Sequence, residues 1–148
     1  MNGSSSDGSN APDERQPRDG GPERLPFVRR HTDLAVNRKA FAAAMTIFRH
    51  SRTFPREERY SLTDQIRRSS RSVCSNISEG WRKRRYPAVF VNKLTDAEGE
   101  AAETQTWLQF AVKCGYLPED AGRDLFEAEE EVLRMLTSMR NNPDRWRT

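Results

Sequence analysis

Apolar residues recur along this chain at three- and four-residue spacing in four separate blocks, the period of helices that bury one stripe. In the first block Leu34, Phe41, Ala44, Met45 and Phe48 fall into step. Thr32 or Asp33 is suited to cap the exposed backbone N–H groups, and Pro55 ends the block by turning the residue before it away from helical geometry. The pattern predicts a helix over residues 33–52. A second helix begins within PREERYSLTDQIRR, where Pro55, Glu57 and Glu58 suit the positive end of a helix dipole. Its stripe is Leu62, Ile66, Ser69 or Ser70, Val73 and Ile77, with serines small enough to let a neighbour approach and Gly80 weakening its end.

The third block, residues 87–114, keeps the most regular period. Phe90, Leu94, Ala97, Ala101, Thr104, Leu108 and Ala111 alternate steps of four and three, as the seam of a low-angle helix bundle does. Gly115 supplies the turn that closes it. The fourth block runs from Glu119 to Arg140 on Ala121, Leu125, Ala128, Val132, Met135 and Met139, with Pro143 just beyond. Nothing alternates as a strand bounded by hairpin turns does. Four helices with short links and one apolar stripe each predict an all-α, antiparallel up-down-up-down four-helix bundle over residues 32–141.

Residues 1–31 are dominated by Gly, Ser, Pro, Asp, Asn and Arg, too little apolar surface to offset the entropy of ordering, and are expected to be a disordered extension. Residues 142–148 read as a loose tail unless Trp146 docks. No apolar run approaches the ~20 residues of a membrane span, and the first thirty residues contain no secretory h-region. Cys74 and Cys114, far apart in helical patterns, read as small buried hydrophobes of a reducing compartment. A cytoplasmic protein without a membrane partner is expected.

Charge changes the picture through its distribution. Net charge is +3, but residues 1–55, 56–85 and 86–148 carry nets of +3, +5 and −5. A basic middle and an acidic end fit either an anionic partner or the pairing of opposite faces in an oligomer.

Catalytic patterns are missing. His31 and His50 stand in no Glu-x-x-His arrangement of a bundle metal centre, and neither cysteine has the neighbours a zinc site needs. No glycine-rich phosphate loop opens a helix, and no nucleophile motif frames a serine. No cofactor, no metal and no catalytic residues are expected.

Three constellations remain. Arg82, Lys83, Arg84 and Arg85 crowd the end of the second helix, and Arg67, Arg68 and Arg71 lie within about one turn of it further back. Arginine forks suit phosphate oxygens, and Trp81 and Tyr86 offer rings on which an unpaired base could stack. The plainer readings are a dipole-compensating helix end for Arg82 to Arg85 and pairing with carboxylates for the other three. Glu98, Glu100 and Glu103, with Asp96 a turn before, make an acidic face on the third helix, and Glu103 is placed to meet Arg67 or Arg68. Gln65, Asn76, Ser78, Glu79 and Thr104 are polar where core is expected, as an intersubunit network or polar channel requires.

The stretches EERYSLTDQIRRSSRSVCSNISEGWRK and DAEGEAAETQTWLQFAVKCGYL resemble the four helix bundle protein family. That family includes proteins encoded by intervening sequences within bacterial 23S rRNA genes and accessory variability determinants of diversity-generating retroelements. Tyr60, Leu62, the Gln65 to Arg68 block, Asn76-Ile77, Glu79-Gly80, Ala97, Gly99, Glu103-Thr104, Leu108 and Gly115-Tyr116 carry the resemblance, over about residues 34–139. It implies a barrel-like homopentamer with a basic surface that binds nucleic acid and, in retroelement members, a reverse transcriptase.

Together these features predict a non-enzymatic homo-oligomer that binds the phosphate backbone of RNA or DNA. Arg82, Lys83, Arg84 and Arg85 are the first contacts and Arg67, Arg68 and Arg71 the second. Gln65, Asn76, Glu79, Glu98, Glu103 and Thr104 form the oligomer or polar network. The alternative is a protein–protein scaffold with an acidic docking face at Glu129, Glu130 and Glu131 and no nucleic-acid role.

Overall fold

The alternating stripe of the third block is buried along its whole length: Phe90, Leu94, Ala97, Ala101, Thr104, Leu108 and Ala111 each expose 1% of their surface or less. These residues belong to α3 of the computed structural model, which describes Gly3 and residues 28–147. The helices are α1 (Ala35–Ser51), α2 (Asp64–Arg82), α3 (Pro87–Lys113) and α4 (Glu119–Asn141), and no strand occurs among the described residues. A short 3-10 turn, Arg56–Glu58, and one π-turn, Arg59–Thr63, lead into α2. Most of the expected N-terminal extension lies outside the described residues. At its near edge, however, Val28 packs against the core and His31–Asp33 forms a 3-10 turn.

Gly115 ends α3 for a specific reason. Its φ of 79° lies in the left-handed region, where a side chain is strained. There the Gly115 N–H reaches the Val112 carbonyl at 3.0 Å and the Tyr116 N–H reaches the Ala111 carbonyl at 2.9 Å, the paired bonds of a Schellman closure. At the other end of α3, Gly80 lets α2 approach, since a Cβ there would sit 3.1 Å from the Lys93 Cβ.

Each helix packs on its neighbour in sequence, and α4 packs back on α1. Contacts that advance along one helix recede along the next, so neighbours run antiparallel. Arg67 of α2 meets Ser51 at the end of α1. Between α2 and α3, Ser69 pairs with Thr104 and Glu79 with Lys93. Gln105 reaches the Phe126 carbonyl and Arg140 reaches Glu98 between α3 and α4. Lys39 bridges to Glu131 at 2.9 Å between α1 and α4. These pairings are those of an up-down-up-down order.

The stripes of α2 and α3 are buried as expected, but α1 and α4 are rotated. Helix α1 buries Val36, Asn37, Ala40, Ala43, Ala44, Ile47 and Ser51, while Phe41 is 59% and Met45 38% exposed. Small alanines let α1 lie close to two neighbours at once, and the bulky pair is left outside. In α4 the buried seam is Gly122, Leu125, Glu129, Val132, Leu136 and Met139, with Ala121, Ala128 and Met135 half-buried beside it.

The apolar interior falls into two clusters. One holds Val36, Ala40, Val73, Ile77, Phe90, Leu94, Val132 and Leu136 among others; the second holds Ile47, Leu62, Ile66, Leu108, Ala111 and Leu125. On three helices the change from one cluster to the other falls at buried polar residues: Ser69 and Ser70 on α2, Thr104 and Gln105 on α3, and Glu129 on α4. The bundle therefore has a polar waist.

In the tail, Trp146 docks, the condition on which its looseness depended. Pro143–Trp146 forms a 3-10 turn, and the half-buried Trp146 packs edge-on against Trp81 with ring centroids 6.1 Å apart. Cys114 is exposed rather than buried, because it caps α3 at the surface, and both cysteines are free. No helix among the described residues is long and apolar enough to cross a membrane.

Candidate nucleic-acid interface

The basic run that follows α2 is held in a tight turn. The Lys83 N–H caps the helix at the Glu79 and Gly80 carbonyls, the Arg84 N–H reaches Trp81, and the Tyr86 N–H returns to the Lys83 carbonyl at 3.0 Å before Pro87 opens α3. Within this turn the four cations part ways. Arg84 folds inward: its guanidinium lies 4.0 Å from the centre of the Trp81 ring and donates to the Trp81 carbonyl at 2.9 Å. Arg82, Lys83 and Arg85 are exposed and form no ion pair among the described residues. Arg85 lies 5.2 Å over the ring of Tyr86, itself 57% exposed. Three charges and one exposed aromatic thus share a hydrogen-bonded corner.

Of the arginines further back on α2, Arg67 is half-buried while Arg68 and Arg71 are exposed. Arg67 donates from Nε to the Ser51 hydroxyl at 2.7 Å, and its guanidinium lies 4.9 Å over the Phe48 ring. Arg71 lies 5.7 Å over the same ring. Both reach α1 through the Phe48 ring, and Arg67 also through the Ser51 hydroxyl, rather than through the carboxylates expected. Arg68 is exposed and acts electrostatically on Glu100. By the 1.5 Å rise per residue, Arg71 and Arg82 are about 16 Å apart along α2.

Of the expected polar network, only Thr104 lies in the waist, its hydroxyl 2.8 Å from both Ser69 Oγ and the Glu100 carbonyl. Asn76 donates to the Ser72 carbonyl of its own helix, and Ser78 to that of Cys74. Glu79 pairs with Lys93 at 2.7 Å; this hydrogen bond and charge hold its carboxyl below the ordinary range. Gln65 is half-buried at the margin of α2. Glu98 accepts from Arg140 Nε at 2.6 Å, and Glu103 accepts from the Trp107 indole at 3.3 Å rather than meeting Arg67. Partial burial, then the neighbouring Glu103, raises the Glu100 carboxyl.

Glu129 was not legible as a core residue. It exposes 1% of its surface, its Oε2 has no hydrogen-bond partner among the described residues, and burial pushes its carboxyl up to about 8. The signal for it was the four-three period through Leu125, Val132, Leu136 and Met139, which passes through position 129. Glu130 accepts from Gln105 and Glu131 from Lys39, so within the acidic run one member is inside and two are engaged. Among the described residues no group of three His, Cys, Asp or Glu side chains is arranged to hold a metal ion.

The chain is an all-helical bundle with a basic, aromatic-flanked turn between α2 and α3. It belongs to the 23S rRNA-intervening sequence protein family, whose model matches residues 32–138. A solved structure from Bacteroides thetaiotaomicron VPI-5482, described as a protein with unknown function from the S23 ribosomal protein family, is 27% identical to it. That likeness covers 72% of this chain and 98% of the other, with a TM-score of 0.65. No curated protein matches.

Proposed function

We propose that this protein is a non-enzymatic, self-associating nucleic-acid-binding protein that grips the phosphate backbone of RNA or DNA. The observation that carries the reading is the hydrogen-bonded α2–α3 turn, which presents Arg82, Lys83 and Arg85 exposed and outside any salt bridge among the described residues, next to the exposed Tyr86 ring. Phosphate contacts supply affinity without sequence preference, and the ring adds a stacking surface for an unpaired base. Arg68 and Arg71 extend the same helix, whereas Arg67 and Arg84 are committed to packing and orient their neighbours. Accessory service to a reverse transcriptase belongs to this reading through the family resemblance.

Self-association is supported by a second surface. Phe41 and Met45 stand exposed on α1 beside Arg71, while α3 exposes Phe110 in line with Glu103 and the half-buried Glu100. The two faces match in apolar character and oppose in charge, as a head-to-tail contact that closes a ring requires. Five copies is the number the resemblance implies. The scaffold alternative loses support because Glu129 is buried.

Titration into labelled structured RNA and duplex DNA over a salt series tests the reading, beside a variant with R82A, K83A and R85A that leaves Arg84 on Trp81. Affinity should fall steeply with salt, and the variant's slope should flatten by roughly three units, one per lost phosphate contact. Absence of binding at low salt would return the turn to a dipole-compensating helix end.

A further inference from the structure

Trp81, the residue before the basic run, is an anchor for more than its own turn. Arg84 covers its ring at 4.0 Å, and Trp146 meets it edge to face at 6.1 Å. Trp146 stands between Arg145 and Arg147, both exposed and neither ion-paired among the described residues. The turn that carries them packs on α3 and α4, and the Asn142 side chain ties its start to the Ser138 carbonyl at 3.1 Å. Two cationic segments more than fifty residues apart in sequence therefore converge on one pair of tryptophans.

A third segment joins them. The His31–Asp33 turn packs on α2 and brings the exposed Arg30 to this end. Asp33, the acid closest to Arg30 in sequence, is engaged by the Arg30 and Arg29 backbone N–H groups at 3.0 and 3.1 Å, which hold its carboxyl below the ordinary range. Asp144 is the one acid within the tail's own turn.

Compensation of helix dipoles accounts for Arg82, but that effect fades within the last turn. Arg145 and Arg147 lie beyond the end of α4 at Asn141, so it does not account for them. Docking a tryptophan to place two uncovered arginines beside three others makes sense as the construction of a surface.

We propose that the docked C-terminal tail is the second half of the phosphate-binding surface. Arg145 and Arg147, held by Trp146 against Trp81, take the backbone of the same nucleic acid that Arg82, Lys83 and Arg85 contact. The inference rests on the nucleic-acid reading and extends it to a segment which that reading does not include. The partner is a phosphodiester polymer that covers this whole end of the bundle rather than one helix face. Five contacts to a duplex imply a salt slope near −4.5, against about −2.7 for the α2–α3 turn alone.

The test uses the full chain, an RNA hairpin and a DNA duplex as probes, and a polyglutamate peptide as an anionic control. R145A/R147A should lower the salt slope by about two units while thermal melting stays that of the wild type, because both side chains are exposed. W146A, which keeps both charges but frees the tail, should weaken binding alongside. A wild-type slope in R145A/R147A, with a flattened one in R82A/K83A/R85A, would remove the tail from the surface and leave the nucleic-acid reading intact. If the wild type binds neither nucleic acid, both fall together. Polyglutamate binding as tight as RNA would reassign the partner to an acidic protein segment and overturn the inference.

Discussion

Thr104 of α3 lies 2.8 Å from Ser69 of α2, hydroxyl to hydroxyl, in nearly complete burial at the waist of the bundle. Each hydroxyl also has a carbonyl of its own helix in reach, Glu100 for Thr104 and Ile66 for Ser69, so removing one member loses the interhelical bond without stranding the other. T104V alone should therefore cost about 0.5–1.5 kcal/mol in urea denaturation, and S69A/T104V should cost little more than either single change. Single-variant costs that simply add would mean the two hydroxyls do not act as a unit.

Glu129 makes stability depend on pH in an unusual direction. Its carboxyl titrates near 8 in the folded bundle against an ordinary 4.5, so the folded state holds the proton more tightly than the unfolded chain. Its contribution is fully present below about pH 4.5, declines as pH rises, and is lost once pH passes about 8. At 1.36 kcal/mol per unit, the span is roughly 3–5 kcal/mol. E129Q should flatten stability over this window and exceed the wild type most at its alkaline end. Urea midpoints that fall equally with pH in both proteins would place the titration elsewhere.

The two cysteines should react at very different rates. Burial, and then the neighbouring Glu129 charge, push the Cys74 thiol up to about 11, so little thiolate exists near neutrality. Cys114 is exposed at the end of α3. Alkylation followed by mass spectrometry should give one fast adduct per native chain, on Cys114, and a second only on unfolding. Equal rates would show that α2 opens readily.

Phe41 and Met45 together test the self-association surface. F41S/M45S should lower the mass seen in sedimentation while leaving helical content unchanged, because neither side chain contributes to the buried seam of α1. A gain in monomer stability with no change in mass would assign the pair to solvent.

Much of this fold was legible because α2 and α3 bury what their apolar period marks. The misreadings share a cause. On α1, bulk does not mean burial: Phe41 and Met45 stay outside while Ala40, Ala43 and Ala44 let the helices approach. On α4, polarity excluded Glu129, which moved the seam onto Ala128 and Met135. The basic turn was plain in sequence, but the separate fates of Arg84, on Trp81, and of Arg82, in water, depend on where a ring happens to lie. The contribution of Trp146 needed the third dimension, since its partner is sixty-five positions away.

The polar waist also fixes alignment. The seams of α2 and α3 are nearly repetitive, so sliding one past the other by a turn of about 5.4 Å would still match alkyl groups with alkyl groups almost everywhere. The exception is the waist: Thr104 would then face the level of Ile66 or Val73, and its bond to Ser69 would be lost. That lost bond costs about 0.5–1.5 kcal/mol, a noticeable share of the stability of a small domain. Four otherwise interchangeable rods are thereby indexed to a single setting, and with them the end of the bundle where α2, the tail and their arginines meet.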